Sequence, residues 1–376
     1  MLYTSVTVLI FITMRRKIST PAVLLLLLLL QTAYLQAQEK DKRSFKIFQF
    51  PANQIPRIDG NTDDWAMVPD SFAVGMDQLV DDNHKLAQPD PKNMDVKVKV
   101  GWVKGENRLY FLYEAYDNYW DFSLPGLQND IFEVVVDADR SGGTFIDELR
   151  PNMDVERWDS YFSFHGAHAQ NYHIFTPAVG KDWCMVWGGR PWIKDLPYAN
   201  AAYNYHFKPG EPGKLVLEFF ITPFDYAGAE GPARSVQSTL YENKVISLCW
   251  AVLDYDDVND KSKQGFWNLS RQHKMYGNAD YMLPFRLMPL DGRYKKPIDA
   301  QWSFKVVDMS RRLVAFLDES EGKVTSWKWD FGDGTTSTEQ YPYHQYKDAG
   351  KYVVVLDIEG PAGRSRRSKV WDVAVK

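Results

Sequence analysis

VKVKVGWVKGENRLYFLYEAYD, running from Val96 to Asp117, is the stretch whose reading decides the fold. In VKVKVGWV (Val96 to Val103) valines alternate with lysines. After a polar turn containing glycine, RLYFLYEAYD (Arg108 to Asp117) continues with aromatic and aliphatic residues. Successive side chains of a strand point to opposite faces, whereas a helix repeats every 3.6 residues, so a period of two predicts two strands joined by a short turn.

The same pattern recurs outward from this pair. IFEVVVDAD (Ile131 to Asp139), YFSFHG (Tyr161 to Gly166), KLVLEFFITPF (Lys214 to Phe224) and ISLCWAVLDYD (Ile246 to Asp256) are apolar or alternating runs bounded by Gly, Pro, Asn and Asp. No long amphipathic helix competes with them. Short strands at this spacing predict an all-β sandwich or jelly roll over residues 45–289. The segment PLDGRYKKPIDA (Pro289 to Ala300) contains a linker, placed at 290–297, after which a second set of strands begins. Residues 298–376 suffice for a small seven-stranded sandwich.

The bounds agree. The chain has 376 residues, 45% of them hydrophobic and 15% aromatic, enough for one large and one small core. A net charge of −5 with scattered Lys and Arg offers no surface for a phosphate backbone, so nucleic acid is not expected as a partner. Arg15, Arg16 and Lys17 precede the apolar run AVLLLLLLL from Ala22, and Ala37 supplies a small residue for cleavage. Residues 1–37 read as a signal peptide, placing the mature protein in the periplasm, on the cell surface or outside the cell. No later run approaches the ~20 apolar residues of a membrane span. Cys184 and Cys249 fit either a disulfide or two buried thiols.

Near the C-terminus stands SWKWDFGDGTTSTEQYPYHQYKDAGKYVVVLDIEG (Ser326 to Gly360). Alternation sends Trp327, Trp329 and Phe331 to one face, and Asp333-Gly334 is a hairpin signal. The stretch resembles a PKD domain, an immunoglobulin-like sandwich, over about Ile298 to Lys376. It carries the hallmark as Trp329, Asp330, Phe331, Gly332, Asp333 and Gly334, followed by Pro342, His344, Tyr346, Gly350 and Tyr352. Asp330 and Asp333 read as caps of turn amides or as cation ligands. The resemblance implies a spacer or a protein-interaction module, with a protein partner at the cell surface.

In the larger domain, RIDGNTDDW (Arg57 to Trp65), the Val96–Asp117 hairpin, NDIFEVVVDADRSGG, KLVLEFFITPFDY and ISLCWAVLDYDDVNDKSKQGFWN follow one another in an order that resembles the family 9 carbohydrate-binding modules. That likeness implies a jelly-roll-like sandwich that binds a polysaccharide or oligosaccharide, often with calcium, between two aromatic faces. Where the family places its first clamp tryptophan this chain has Leu127, with Trp120 nearby as a substitute. Tyr276 falls at the second clamp. A family arginine is replaced by the region of Ser163 and His165. The expected ligand contacts are Trp120, Glu133, Trp192, Trp267 and Tyr276. Calcium is expected at Asp137 and Asp139 or at Asp254 and Asp256, where carboxylate oxygens cluster in turns.

The aromatic segment from Lys181 to Pro209 predicts Trp183 and Trp187 in the core and Trp192 in an outward loop. His165, His168 and His173 alternate along the chain, which disfavours zinc. Two other classes compete with glycan binding. A glycoside hydrolase would need two carboxylates roughly 5–10 Å apart, for which Glu133, Asp137, Glu218 and Asp254 are candidates, but G-x-S-x-G and H-E-x-x-H are absent from the sequence. A structural or adhesive protein would expose no aromatic pair.

Overall fold

The computed structural model describes residues 43–86, 88–124, 126–143, 166–257 and 265–376. The signal-peptide reading, most of YFSFHG, and Asn259 and Asp260 fall outside them. Within the described residues the chain is all-β, with helical structure limited to single 3-10 turns.

The deciding hairpin forms as its period demands. Met94–Val103 pairs antiparallel with Leu109–Asp117, Val98 opposite Tyr113. Val96, Val98, Val100 and Trp102 point with Phe111 and Tyr113 into the main core, while Asp95 and Lys97 point to solvent. The sheet containing this hairpin has 13 strands and folds over on itself. The strand Phe45–Phe50 makes the fold: Phe45 to Ile47 run parallel to Phe285 to Leu287, then Phe48 to Phe50 run parallel to Gly101 to Val103. One layer therefore orders Cys184–Val186, Gln170–Phe175, Ile131–Asp137, Val245–Asp254 and Leu283–Leu287. The other orders Met94–Val103, Leu109–Asp117, Gly213–Ile221 and Ala199–Tyr205. Phe132, Tyr172, Trp250 and Phe219 pack between them.

RIDGNTDDW lies across the outside of the second layer. The Glu218 carboxylate, fully buried on Gly213–Ile221, accepts from the backbone amides of Asp59 (3.2 Å), Gly60 (2.8 Å) and Asn61 (3.1 Å) and from the Trp65 indole (2.8 Å). Trp65 then packs edge-on to Phe50 within a second apolar cluster of Phe48, Tyr110, Leu112 and Phe220. Glu218 is thus a structural group, with both oxygens occupied.

The C-terminal sandwich faces three strands, Trp302–Asp308, Leu313–Asp318 and Tyr343–Gln345, against four, Thr336–Ser337, Ser326–Asp330, Gly350–Gly360 and Gly363–Val375. Trp302, Phe316, Trp329, Phe331 and Tyr346 fill its core, with Trp327 half-buried beside them. Gly332, at φ +80°, admits the turn that follows. Asp330 accepts from the Gly332 amide, and Asp333 accepts from Thr335 and pairs with His344 at 2.7 Å, so both carboxylates brace the turn.

The two sandwiches form one compact unit, Phe45–Lys376. The turn after Met94–Val103 meets Gly363–Val375 through buried charges. Arg367 donates to Glu106 at 2.7 Å and to the Ala52 carbonyl, Arg108 donates to Asp372 at 3.1 Å, and Lys369 donates to the Gly105 carbonyl. Lys104 pairs with Glu321 at 2.9 Å.

Cys184 and Cys249 are free and buried. Burial pushes the Cys249 thiol up to about 12 and that of Cys184 well above its usual value. Because the thiolate is the reactive form, neither thiol of the folded chain should react with a maleimide at neutral pH, and both should react in denaturant. Rapid labelling of the native protein would contradict the packing.

Candidate functional site

Two polar groups in the larger sandwich stand apart from ordinary turn capping. The first lies on the outward face of the first layer. On Ile131–Asp137, Phe132 and Val134 face the core, so Glu133 faces away, and pairing places it opposite His173 of Gln170–Phe175. Glu133 accepts from the Asn171 amide at 2.9 Å, and His173 Nε2 approaches the same oxygen at 3.5 Å. Asn171 also points its amide at the Tyr276 carbonyl, 3.5 Å away. The Trp187 ring lies 5.9 Å from His173, and Tyr276 meets His273 edge-on at 5.3 Å. His273 in turn holds Asp82 at 2.8 Å, and Asn268 and Ser270 brace the same loop. Two atoms of this group have no hydrogen-bond partner despite burial, Asn171 Oδ1 and His173 Nδ1. A buried polar atom without a partner is costly, and two of them set side by side could accept or donate to a ligand or a water.

The second group closes one end of the sandwich. Asp117, Asp254 and Asp256 each bring an oxygen within 4.8 Å of the others. Asp117 Oδ1 accepts from the Tyr119 amide and Asp254 Oδ2 from Asn93, which leaves Asp117 Oδ2 and Asp254 Oδ1 buried without partners. Burial, then the Asp254 charge, pushes Asp117 up to about 8. Burial, then Asp256, pushes Asp254 up to about 7. Asp130 behind them differs, because both its oxygens are held by the amides of Asp121 and Tyr255. Converging carboxylate oxygens with unfilled acceptor positions suit a hard cation such as calcium, whose charge would offset their repulsion.

The residues expected from the sequence are redistributed. Trp120 is a core residue: it stacks on Phe207 at 4.8 Å, and its indole donates to the Gly213 carbonyl, so neither ring face is available. Trp267, only 2% exposed, is also turned inward on Gly265–Asn268, opposite Val252. Trp192 does not form an open platform. It is half-buried, edge-on to Tyr198 and Phe224, with its indole donating to the Gly228 carbonyl. Leu127 packs partly against the core. Trp183 packs there as expected, whereas Trp187 is half-buried with its ring 5.9 Å from that of His173, beside Glu133. Glu133 and Tyr276 are brought together.

Among the acids, Asp254 and Asp256 converge, but with Asp117, which sequence reasoning missed. Asp137 and Asp139 instead cap a turn, through the amides of Gly142 and Ser141, and join no third carboxylate among the described residues. The available signal for Asp117 was its place at the end of the run FLYEAYD, where a strand delivers its last side chain to the end of the sandwich. Asn171 carried no sequence signal beyond lying two residues from His173.

Residues 310–375 match the family model described as PKD domain, so the second sandwich is a PKD domain. The chain is similar to a carbohydrate binding module family 9 from Caldicellulosiruptor kristjanssonii in complex with cellotriose, at 14% identity, 68% of this chain, 98% of that one and a TM-score of 0.43. It is also similar to the PKD1 domain of the metalloprotease PrtV from Vibrio cholerae, at 32% identity over 19% of this chain and 90% of that one, with a TM-score of 0.18. Among curated proteins it resembles Microbial collagenase of Vibrio alginolyticus, 47% identical over 116 residues, which are 29% of this chain and 14% of the collagenase. Collagenase ColQ1 of Bacillus cereus (strain Q1) is 43% identical over 51 residues, 14% of this chain and 5% of ColQ1. The chain thus spans a small part of the length of these relatives. No helix among the described residues is long and apolar enough to cross a membrane.

Proposed function

We propose that this chain is an exported, non-catalytic carbohydrate-binding protein whose larger sandwich takes a polysaccharide or oligosaccharide over the Glu133 group. The observation that carries the reading is the pair of buried, unpartnered atoms, Asn171 Oδ1 and His173 Nδ1, set beside the Glu133 carboxylate with Trp187 and Tyr276 at its margins. Sugar hydroxyls both donate and accept, so they suit such a mixed group, and the apolar C–H face of a pyranose suits an indole or phenol ring. The order of motifs resembling family 9 modules supports the same reading, and the resemblance of the PKD domain to parts of bacterial collagenases and proteases supports an extracellular setting.

Calorimetric titration of neutral oligosaccharides into the full chain tests it. Stacking is worth about 1 kcal/mol, so Trp187→Ala and Tyr276→Ala should each weaken binding by about fivefold. Asn171→Ala should weaken it further. Affinity that ignores all three substitutions would refute the site. Release of reducing sugar by the wild-type chain, abolished in Glu133→Gln, would favour the hydrolase reading instead.

We place calcium at Asp117, Asp254 and Asp256, where it would neutralise charge and tie the end of Leu109–Asp117 to the end of Val245–Asp254. Saturating calcium at about 100-fold over its Kd should add about 2.7 kcal/mol to stability. Asp117→Asn should abolish the rise in melting temperature that calcium gives, while Asp139→Asn should leave it intact. A response equal in both variants would move the ion elsewhere.

A further inference from the structure

Between the two sandwiches lies a cleft of about 990 Å³, bounded by the Lys104–Arg108 turn, the Ser235–Tyr241 segment and the strand Trp302–Asp308. Its size and its place at a domain boundary are those of ligand sites. Five basic residues line it against three acidic ones, the reverse of the chain's overall balance. Glu106 is paired with Arg367 and Asp372 with Arg108, while Glu319 accepts from the Ser303 hydroxyl at 2.6 Å and keeps its charge, so five cations face three anions. Lys305 and Lys351, both exposed, form no ion pair among the described residues. The surplus in the cleft is therefore positive. Beside it stand two exposed apolar side chains, Tyr241 at 58% exposure and Val236 at 55%.

We infer that this cleft binds an acidic oligosaccharide, one whose rings carry carboxylates. The ammonium groups of Lys305 and Lys351 meet the carboxylates, and Tyr241 with Val236 meets the sugar C–H faces. Both domains supply walls, and the buried ion pairs around Glu106 hold those walls in place, so little ordering is needed on binding. The proposal rests on the reading of the chain as a glycan binder, but it uses a surface separate from Glu133.

The test titrates the full chain with galacturonate oligomers and, separately, with neutral cello-oligosaccharides, at low and high salt. The double variant Lys305→Glu/Lys351→Glu should weaken galacturonate binding by about tenfold or more and leave neutral binding unchanged. Wild-type affinity for the acidic sugar should fall as salt rises, because exposed charges are screened. Both side chains are exposed, so an unchanged melting temperature confirms that the variant is folded, and Lys305→Gln/Lys351→Gln should give an intermediate loss. No binding of galacturonate at low salt, or equal binding by wild type and double variant, would overturn the proposal. Loss of neutral binding alone, in Trp187→Ala, bears on the Glu133 site and not on this one.

Discussion

Glu218→Ala should lower stability by about 4 kcal/mol, and urea unfolding should show it as a shifted midpoint. The carboxylate receives three consecutive backbone amides and one indole, with the Gly60 amide and the Trp65 indole both buried. Hydrogen bonds to an ionised group contribute about 1.5–3 kcal/mol, and each buried donor left without a partner costs about 1–3 kcal/mol. The Asp59 and Asn61 amides lie nearer the surface, where water can replace the carboxylate, so the buried pair dominates the estimate. Glu218→Gln keeps an acceptor and should cost less than half as much. Equal losses in the two variants would mean that side-chain volume, not hydrogen bonding, holds RIDGNTDDW to the sheet.

Glu106→Ala should be comparably damaging, by about 3–5 kcal/mol, and should change how the chain unfolds. Glu106 and Arg367 are 5% and 4% exposed, and removing the acid leaves the Arg367 guanidinium buried without its counter-charge. Arg108 loses the same neighbour, at 3.6 Å. With the contact broken, the two sandwiches should melt in separate transitions, and proteolysis should reach the exposed Lys295 and Lys296. Glu106→Met/Arg367→Met removes both charges and should recover most of the loss, because a buried pair replaced by apolar groups of similar volume is often neutral. A single transition in Glu106→Ala, at the wild-type temperature, would show that the ion pairs do not hold the domains together.

Period and turn chemistry made the fold legible. Val96 to Asp117 alternates because one face of each strand is buried, and that constraint writes itself into local sequence. WKWDFGDG was equally readable, since Trp329 and Phe331 must face one core and Gly332 must adopt a positive φ. The site was less so. A tryptophan identity does not report which way its ring points, and Trp120, Trp187 and Trp267 were separated only by register and by the turns that pin them. Asp117 and Asp254 are neighbours in space across 137 intervening steps of chain, and nothing local to YEAYD announces the partner. Glu133 and Tyr276, far apart in sequence, are bridged in the fold by Asn171, a link that alternation alone does not announce.

The strand Phe45–Phe50 has a consequence in time as well as in space. Its first half pairs with Phe285 to Leu287 and its second with Gly101 to Val103, so the seam of the larger sandwich joins its first strand to its last. A chain emerging from the ribosome cannot close this seam until residue 287 has been made. Loop closure over such a separation is slow relative to local pairing. The Met94–Val103 and Leu109–Asp117 hairpin can form early, yet its Gly101 to Val103 edge waits for no more than Phe48 to Phe50, while the opposite layer stays unsealed. The larger sandwich therefore gains its second layer's hairpin early but is sealed along Phe45 to Ile47 only once residue 287 has been made.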